Sequence, residues 1–251
     1  MIVDGHVHVS DSDFGNVDVL LVQWDHAGIE RGLCVPGGMV DVRQFSRIFS
    51  GQYRPDPQIP NHLVFDAIEQ HGDRIHGLVC VNPHEGPEAV KMLKEGLDRG
   101  CRGVKLAPIV HQFQFSDPVL DQIASCCGDR EFPVYSHVLP NPGMRTSDFA
   151  ELARRSPGTN FILGHMGFGP ADADAIEFAS ELDNLYLESS LGNYLILRDA
   201  LERLGPTKLI FGSEFPLSHP KAELEKILLL DAAAHKAILE TNILRLLQLE
   251  A

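Results

Sequence analysis

The chain has 251 residues, 44% apolar and 22% charged, ordinary for a globular protein with a sizeable core, and no stretch approaches the roughly 20 apolar residues of a membrane span. Its formal net charge of -14 repels a phosphate backbone, so neither nucleic acid nor a membrane is an expected partner. The five cysteines (Cys34, Cys80, Cys101, Cys126, Cys127) are odd in number and lack a Cys-x-x-Cys pair, so they read as buried free thiols; with no secretory pattern after Met1, a reducing cytoplasm is the expected location.

Short apolar, β-branched segments alternate with stretches of helical spacing, the mark of repeated βα units around a parallel sheet. Eight such segments occur, at residues 2–4, 32–35, 77–81, 103–106, 134–136, 161–163, 185–187 and 209–211. They recur at intervals of mostly about 25 to 30 residues, which predicts an α/β protein, a (β/α)8 TIM barrel. No linker, repeat or low-complexity tract divides the chain, so a single domain over residues 1–251 is expected.

Between these strands, residues 36–60 form a long irregular stretch rich in Gly and Pro. It follows the second strand, on the face where barrel enzymes carry their sites. Ala89, Val90, Leu93 and Leu97 make an apolar helical stripe that stops at Gly100. Ser116-Asp117-Pro118 starts a helix running to about Cys127, and Ser147-Asp148 caps another over residues 149–155.

His6 and His8, two apart on the first strand, can present two imidazoles to one point, and zinc accepts neutral imidazole readily. His137, His165 and Glu214 each follow a predicted strand, and all such ends open on one face of a parallel barrel. The five therefore converge there; the plain alternative for any one histidine is a core side chain satisfied by a backbone carbonyl. Arg145, in the loop after His137, could grip an anionic substrate or be solvated, and Arg43, Arg47 and Arg54 share that ambiguity. Glu188, Ser189 and Ser190 end the seventh strand and are expected to hydrogen-bond to the site. His84, His111 and His219 fall in predicted loops and read as solvated.

The motifs Asp4-Gly5-His6-Val7-His8, Ala27-Gly28-Ile29, Gly103-Val104-Lys105-Leu106, Pro133-Val134-Tyr135-Ser136-His137, Gly164-His165-Met166-Gly167, Phe211-Gly212-Ser213-Glu214-Phe215-Pro216 and Asn242-Ile243-Leu244-Arg245-Leu246-Leu247 span nearly the whole chain. Together they resemble the amidohydrolase superfamily, in the amidohydrolase-related branch that includes aminocarboxymuconate-semialdehyde decarboxylase. The resemblance implies that His6, His8 and His137 ligate a metal and that His165 assists proton transfer. Glu214 stands where the family usually has an aspartate that ligates the metal and handles the proton of its water. The extra methylene is a departure, and it leaves a general-base role intact while changing the geometry of any metal contact.

The implied cofactor is one divalent metal, zinc first, with manganese or iron as alternatives. A strand-four lysine bridges two metals as a carbamate in other superfamily members, so a binuclear site on carboxylated Lys105 is a lesser alternative to Lys105 as a fixed charge for a substrate carboxylate. The implied reaction is hydrolysis of a C-N or C-O bond in a small carboxylate-bearing or cyclic amide, lactone or ester, with Glu214 and His165 catalytic. Non-oxidative decarboxylation of an unsaturated or aromatic acid is the runner-up; the chain is short for that group. A metal-independent lactonase and a non-catalytic barrel are further alternatives. The expected partner is a small-molecule substrate, with a homodimer left open.

Overall fold

The computed structural model describes residues 1–169 and 171–250. Its strands are β1 (Val3–Val9), β2 (Arg31–Pro36), β3 (Ile75–Gly77), β4 (Val79–Cys80), β5 (Val104–Leu106), β6 (Val134–Ser136), β7 (Phe161–Leu163), β8 (Leu185–Glu188) and β9 (Leu209–Ile210). Every pairing between them is parallel, in the orders β1-β2-β3 and β4-β5-β6-β7-β8-β9. Leu78 separates β3 from β4, its N–H donating to Cys34 O while Val79 N–H donates to Gly103 O. β3 and β4 are thus the two halves of one barrel strand that changes partner midway.

The circle closes where the chain beyond β9 meets β1. Gly5 N–H donates to Phe211 O and His8 N–H to Phe215 O, both at 2.8 Å, and Val7 bridges Phe215. The result is an eight-stranded parallel barrel with helices around it. The predicted (β/α)8 architecture is therefore the observed one.

Alternation along each strand divides the core in two. Val104 and Leu106, Val134, Phe161 and Leu163, and Leu185 and Leu187 face the surrounding helices. Tyr135, Ile162, Tyr186 and Ile210 face the barrel axis, with Val3 and Leu33. Ile243, Leu244, Leu246 and Leu247, in and just after the helix Asn242–Leu246, plug the base. The Asn242 amide fixes that plug by donating to Pro206 O and Leu209 O at 2.8 and 2.7 Å. Lys105 takes the inward parity too, in register with Tyr135, and Tyr135 with Ile162.

Local expectations are adjusted in four places. β1 runs five residues beyond the predicted end, so His6 and His8 lie within a strand. The third strand begins at Ile75 and breaks at Leu78. Asp117, at the start of the helix Pro118–Gly128, is the residue that caps it, accepting from Val119 N–H. The helix Thr146–Arg155 starts before Ser147, and Asp148 caps it by accepting from Arg145 N–H at 2.9 Å. The five cysteines are free and buried, as expected, and no helix among the described residues is long and apolar enough to cross a membrane.

Gly5 is set by the closure itself. A Cβ there would lie 2.7 Å from both Ile210 Cγ2 and Phe211 O. Gly5→Ala is expected to lower unfolding stability by roughly 1–3 kcal/mol through overpacking at a backbone contact that cannot retreat. Denaturant titration measures it as a lowered midpoint; an unchanged midpoint would show that the closure tolerates a methyl group.

Candidate active site

The site begins at the closure. Asp4, fully buried in β1, accepts from His6 N–H (3.2 Å), the Trp24 indole N–H (3.1 Å), Ser213 N–H (2.9 Å) and Ser213 Oγ–H (2.6 Å). Burial raises its carboxyl to about 6, against the pull of those donors. Glu214, one residue on, donates its N–H to His6 O at 2.9 Å and has a left-handed backbone, φ 54°. The β1 histidines and Glu214 are thereby brought face to face.

His6, His8 and Glu214 each offer an atom within 4.8 Å of the others. Glu214 Oε2 lies 2.8 Å from His6 Nε2, Oε1 lies 3.5 Å from His8 Nε2, and Oε2 lies 3.8 Å from His165 Nε2. The shortest of these has a hydrogen-bond distance without hydrogen-bond alignment: His6 Nε2 and Glu214 Oε2 are both buried without a hydrogen-bond partner. His8 Nδ1 lies 3.3 Å from Pro36 O, which places the proton on Nδ1 and leaves the Nε2 lone pair facing Glu214. Burial, then the Lys105 charge, push His6 well below the ordinary imidazole range. Burial would raise Glu214, but positive charge on the His165, His6 or His8 ring beside it would hold its carboxyl well below the usual carboxylate range. Lone pairs and one carboxylate thus converge on a point, the donor set a divalent cation takes.

His165 is held by a second buried carboxylate. Glu188 accepts from Tyr135 Oη–H (2.7 Å), Ser190 Oγ–H (2.8 Å), Ser190 N–H and His165 N–H (3.2 Å). Gly212 leaves room for it, since a Cβ there would collide with the Glu188 carboxylate. With the Ser190 hydroxyl proton given to Glu188, Ser190 Oγ accepts from His165 Nδ1–H at 2.9 Å. The free lone pair of His165 is then Nε2, toward Glu214. Burial lowers His165 to about 4, so the ring is neutral through the physiological range. Its backbone is also left-handed, φ 63°, held by the bond from its N–H to Glu188.

Lys105 is buried at the floor of the cavity, and its Nζ has no hydrogen-bond partner. The ammonium lies 4.2 Å from the centre of the Tyr135 ring, whose other contact is a stack on His6 at 4.3 Å. Burial lowers Lys105 to about 8, partly offset by Glu214. His137 also faces the cavity but stands outside the trio: its Nε2 accepts from Ile109 N–H at 3.1 Å. Arg145 does not line the cavity; it is exposed, with Nε donating to Pro140 O. Arg43 reaches the cavity rim, where it is paired with Asp41, whereas Arg47 and Arg54 do not line it. Neither do His84, His111 or His219; His84 Nε2 bonds to His111 O, and His111 is buried rather than solvated.

The cavity holds about 610 Å³. The stretch after β2 forms one wall, as its position predicted, through Met39, Phe45 and Phe49 among others. Sequence reasoning gave no role to Asp4, Tyr135 or Pro36 O. An acid or tyrosine inside an apolar strand was the available signal for the first two; a backbone carbonyl leaves none.

The amidohydrolase family model matches residues 3–249. No curated protein matches the chain. Among solved structures, an uncharacterized TIM-barrel protein from Bordetella bronchiseptica is similar with TM-score 0.79 and 20% identity, over 98% of each chain. A probable 2-pyrone-4,6-dicarboxylic acid hydrolase from Acinetobacter baumannii with citric acid bound gives 0.72 and 18%, over 98% of this chain and 99% of that one. A dihydroxybenzoic acid decarboxylase from Polaromonas sp. JS666, with bound manganese and the inhibitor 2-nitroresorcinol, gives 0.71 and 16%, over 98% and 96%. At these identities the likeness is one of fold.

Burial pushes Glu188 up to about 7, while its hydrogen-bond donors pull the other way. A carboxyl raised in the folded state binds protons that the unfolded chain, at about 4.5, has released. Its contribution to stability is therefore complete below about 4.5 and lost as pH rises through about 7. Glu188→Gln lacks that titration. Its stability relative to the parent is expected to improve by on the order of 3 kcal/mol between pH 4.5 and pH 8. Unfolding titrations of both proteins at the two pH values measure this; a pH-independent difference would mean that Glu188 stays ionised in the fold.

Proposed function

The chain belongs to the amidohydrolase family, and from that premise we propose that it is a metal-dependent hydrolase cleaving an ester, lactone or amide bond in a small carboxylate-bearing or cyclic substrate. The observation that carries this reading is the trio of His6, His8 and Glu214, with His6 Nε2 and Glu214 Oε2 buried and unpartnered beside an open cavity. Two imidazoles and one carboxylate suit zinc, with manganese or iron as alternatives. Glu214 takes the family's aspartate position, its longer side chain setting one oxygen toward each β1 histidine. His137 joins this set only by releasing Ile109 N–H from Nε2 or by turning Nδ1 inward.

When bound, a divalent cation there supplies Lewis-acid polarisation of a carbonyl and lowers the pKa of water. Glu214, ionised and surrounded by ring nitrogens, accepts the proton of an attacking water. His165 offers a neutral Nε2 that takes up a proton and returns it to the leaving group, while Ser190 and Glu188 hold its tautomer. Lys105 holds an anionic substrate group at the floor. Its place over the Tyr135 ring favours the charged amine, and so a fixed cation over a carbamate bridging two metals. Arg145, exposed and bonded to Pro140 O rather than lining the cavity, is left out of substrate binding.

Decarboxylation is the second reading. It is supported by the unpartnered cation at the floor, which suits a substrate carboxylate, and by the fold likeness to the Polaromonas decarboxylase. In that chemistry a proton is added to the substrate carbon, the bond to its carboxylate breaks, and carbon dioxide leaves.

Protein purified without chelator is expected to carry about one equivalent of zinc, manganese or iron per chain, lost in His6→Ala. Metal analysis by mass spectrometry reads this directly. Metal-free protein with full turnover would instead favour a metal-independent lactonase. Against a panel of lactones, esters, amides and unsaturated acids, Glu214→Gln is expected to lower kcat by about 10²–10⁴-fold. Release of a carboxylic acid marks the hydrolase; release of carbon dioxide marks the decarboxylase. Undiminished turnover in Glu214→Gln would remove the assigned base.

A further inference from the structure

The cavity is chemically divided. One set of polar groups lies at the floor, with His8, Lys105, His137, His165 and Glu214 among the lining residues. Its wall is largely apolar and includes Met39, Phe45, Phe49, Val110, Leu139 and Phe168. Phe45 packs edge-on to Phe49 at 5.6 Å, and Phe49 edge-on to Phe168 at 6.5 Å, so three rings link the stretch after β2 to the loop after β7. Phe49 is 54% and Phe168 39% exposed. Large apolar side chains left in water at a cavity mouth gain by being covered.

The charges along the cavity are equally uneven. Among the described lining residues the cations are Lys105 and Arg43. Arg43 is already engaged: its Nε and Nη2 donate to both oxygens of Asp41 at 3.0 and 3.1 Å, and the guanidinium lies over the Phe14 ring. With Asp41 neutralised by Arg43, Asp11 is the remaining acid among the described lining residues of that loop region. Apart from a cation held by the His6, His8 and Glu214 trio, the buried, unpartnered Nζ of Lys105 is therefore the place prepared for an anion, and a second carboxylate farther along the wall would meet Asp11 and phenylalanines. A volume of about 610 Å³ is also more than a single-ring acid needs, in the range that holds drug-sized ligands.

We propose that the substrate is an amphiphile with one anionic head, held at Lys105, and an extended apolar body lying along the Phe45–Phe49–Phe168 wall. Dicarboxylic acids are disfavoured. The inference rests on the active-site reading given above, but it is tested by binding alone, so loss of the hydrolase reading leaves its test intact.

The test is isothermal titration of the whole protein, as purified and after chelation, with n-alkyl monocarboxylates from butanoate to decanoate and with the α,ω-dicarboxylates of matching length. Affinity for the monocarboxylates is expected to rise about two- to fourfold per methylene until the cavity is filled, with the dicarboxylates at least tenfold weaker at equal length. Phe49→Ser is expected to flatten the chain-length dependence. Lys105→Met is expected to weaken the carboxylates tenfold or more while leaving the n-alkanol of the same length unchanged. Dicarboxylates that bind as well as monocarboxylates, or affinity independent of chain length, would overturn the proposal. Both results come from the unsubstituted protein, so misfolding of a variant does not obscure them.

Discussion

The interaction on which the site depends is the set of hydrogen bonds that converge on the buried Asp4 carboxylate. They come from three separate parts of the chain: β1 itself through His6 N–H, the first helix through Trp24, and the turn beyond β9 through Ser213. A carboxylate without exposure is tolerable only when its lone pairs are satisfied, and each donor here would be left unpaired without it. The consequence is positional. The barrel must close between its first and last strands, and the residues flanking that bond, His6 and Glu214, must then face each other.

Glu188 repeats the arrangement at the end of β8, packed against Gly212. It gathers Tyr135, Ser190 and the backbone of His165, and through Tyr135 it also reaches the ring stacked on His6. Around these carboxylates, burial strips His6 and His165 of charge and lowers Lys105. The outcome is a set of neutral lone pairs, one carboxylate and one poised amine, largely buried at the floor of the cavity. Such groups act strongly on a ligand because little water competes with them.

Strand periodicity made the fold legible: the alternation Phe161, Ile162, Leu163 or Leu185, Tyr186, Leu187 carries both cores in three letters, and the same parity turned Lys105 inward. Local geometry was less legible. A register shift inside β1 between Asp4 and Val7, and the break at Leu78, depend on partner strands that no window of sequence contains. The strand-end rule brought His6, His8, His165 and Glu214 together, yet it could not foresee that Ile109 N–H would claim His137 Nε2. Arg145 illustrates the same limit: its side chain turned to Pro140 O, and its N–H became the partner of a helix-capping aspartate.

Glu214 gathers these constraints into one side chain. Its backbone is pinned beside β1 by the bond to His6 O and turned into the left-handed region, which non-glycine residues enter only where their surroundings enforce it. From that fixed root the carboxylate must present Oε2 to His6 and His165 and Oε1 to His8. An aspartate on the same root would hold its oxygens about one carbon–carbon bond nearer the backbone, and could keep these approaches only if the turn moved inward. That turn is fixed by Ser213 on Asp4, so the longer side chain and the closure of the barrel are parts of one geometric solution.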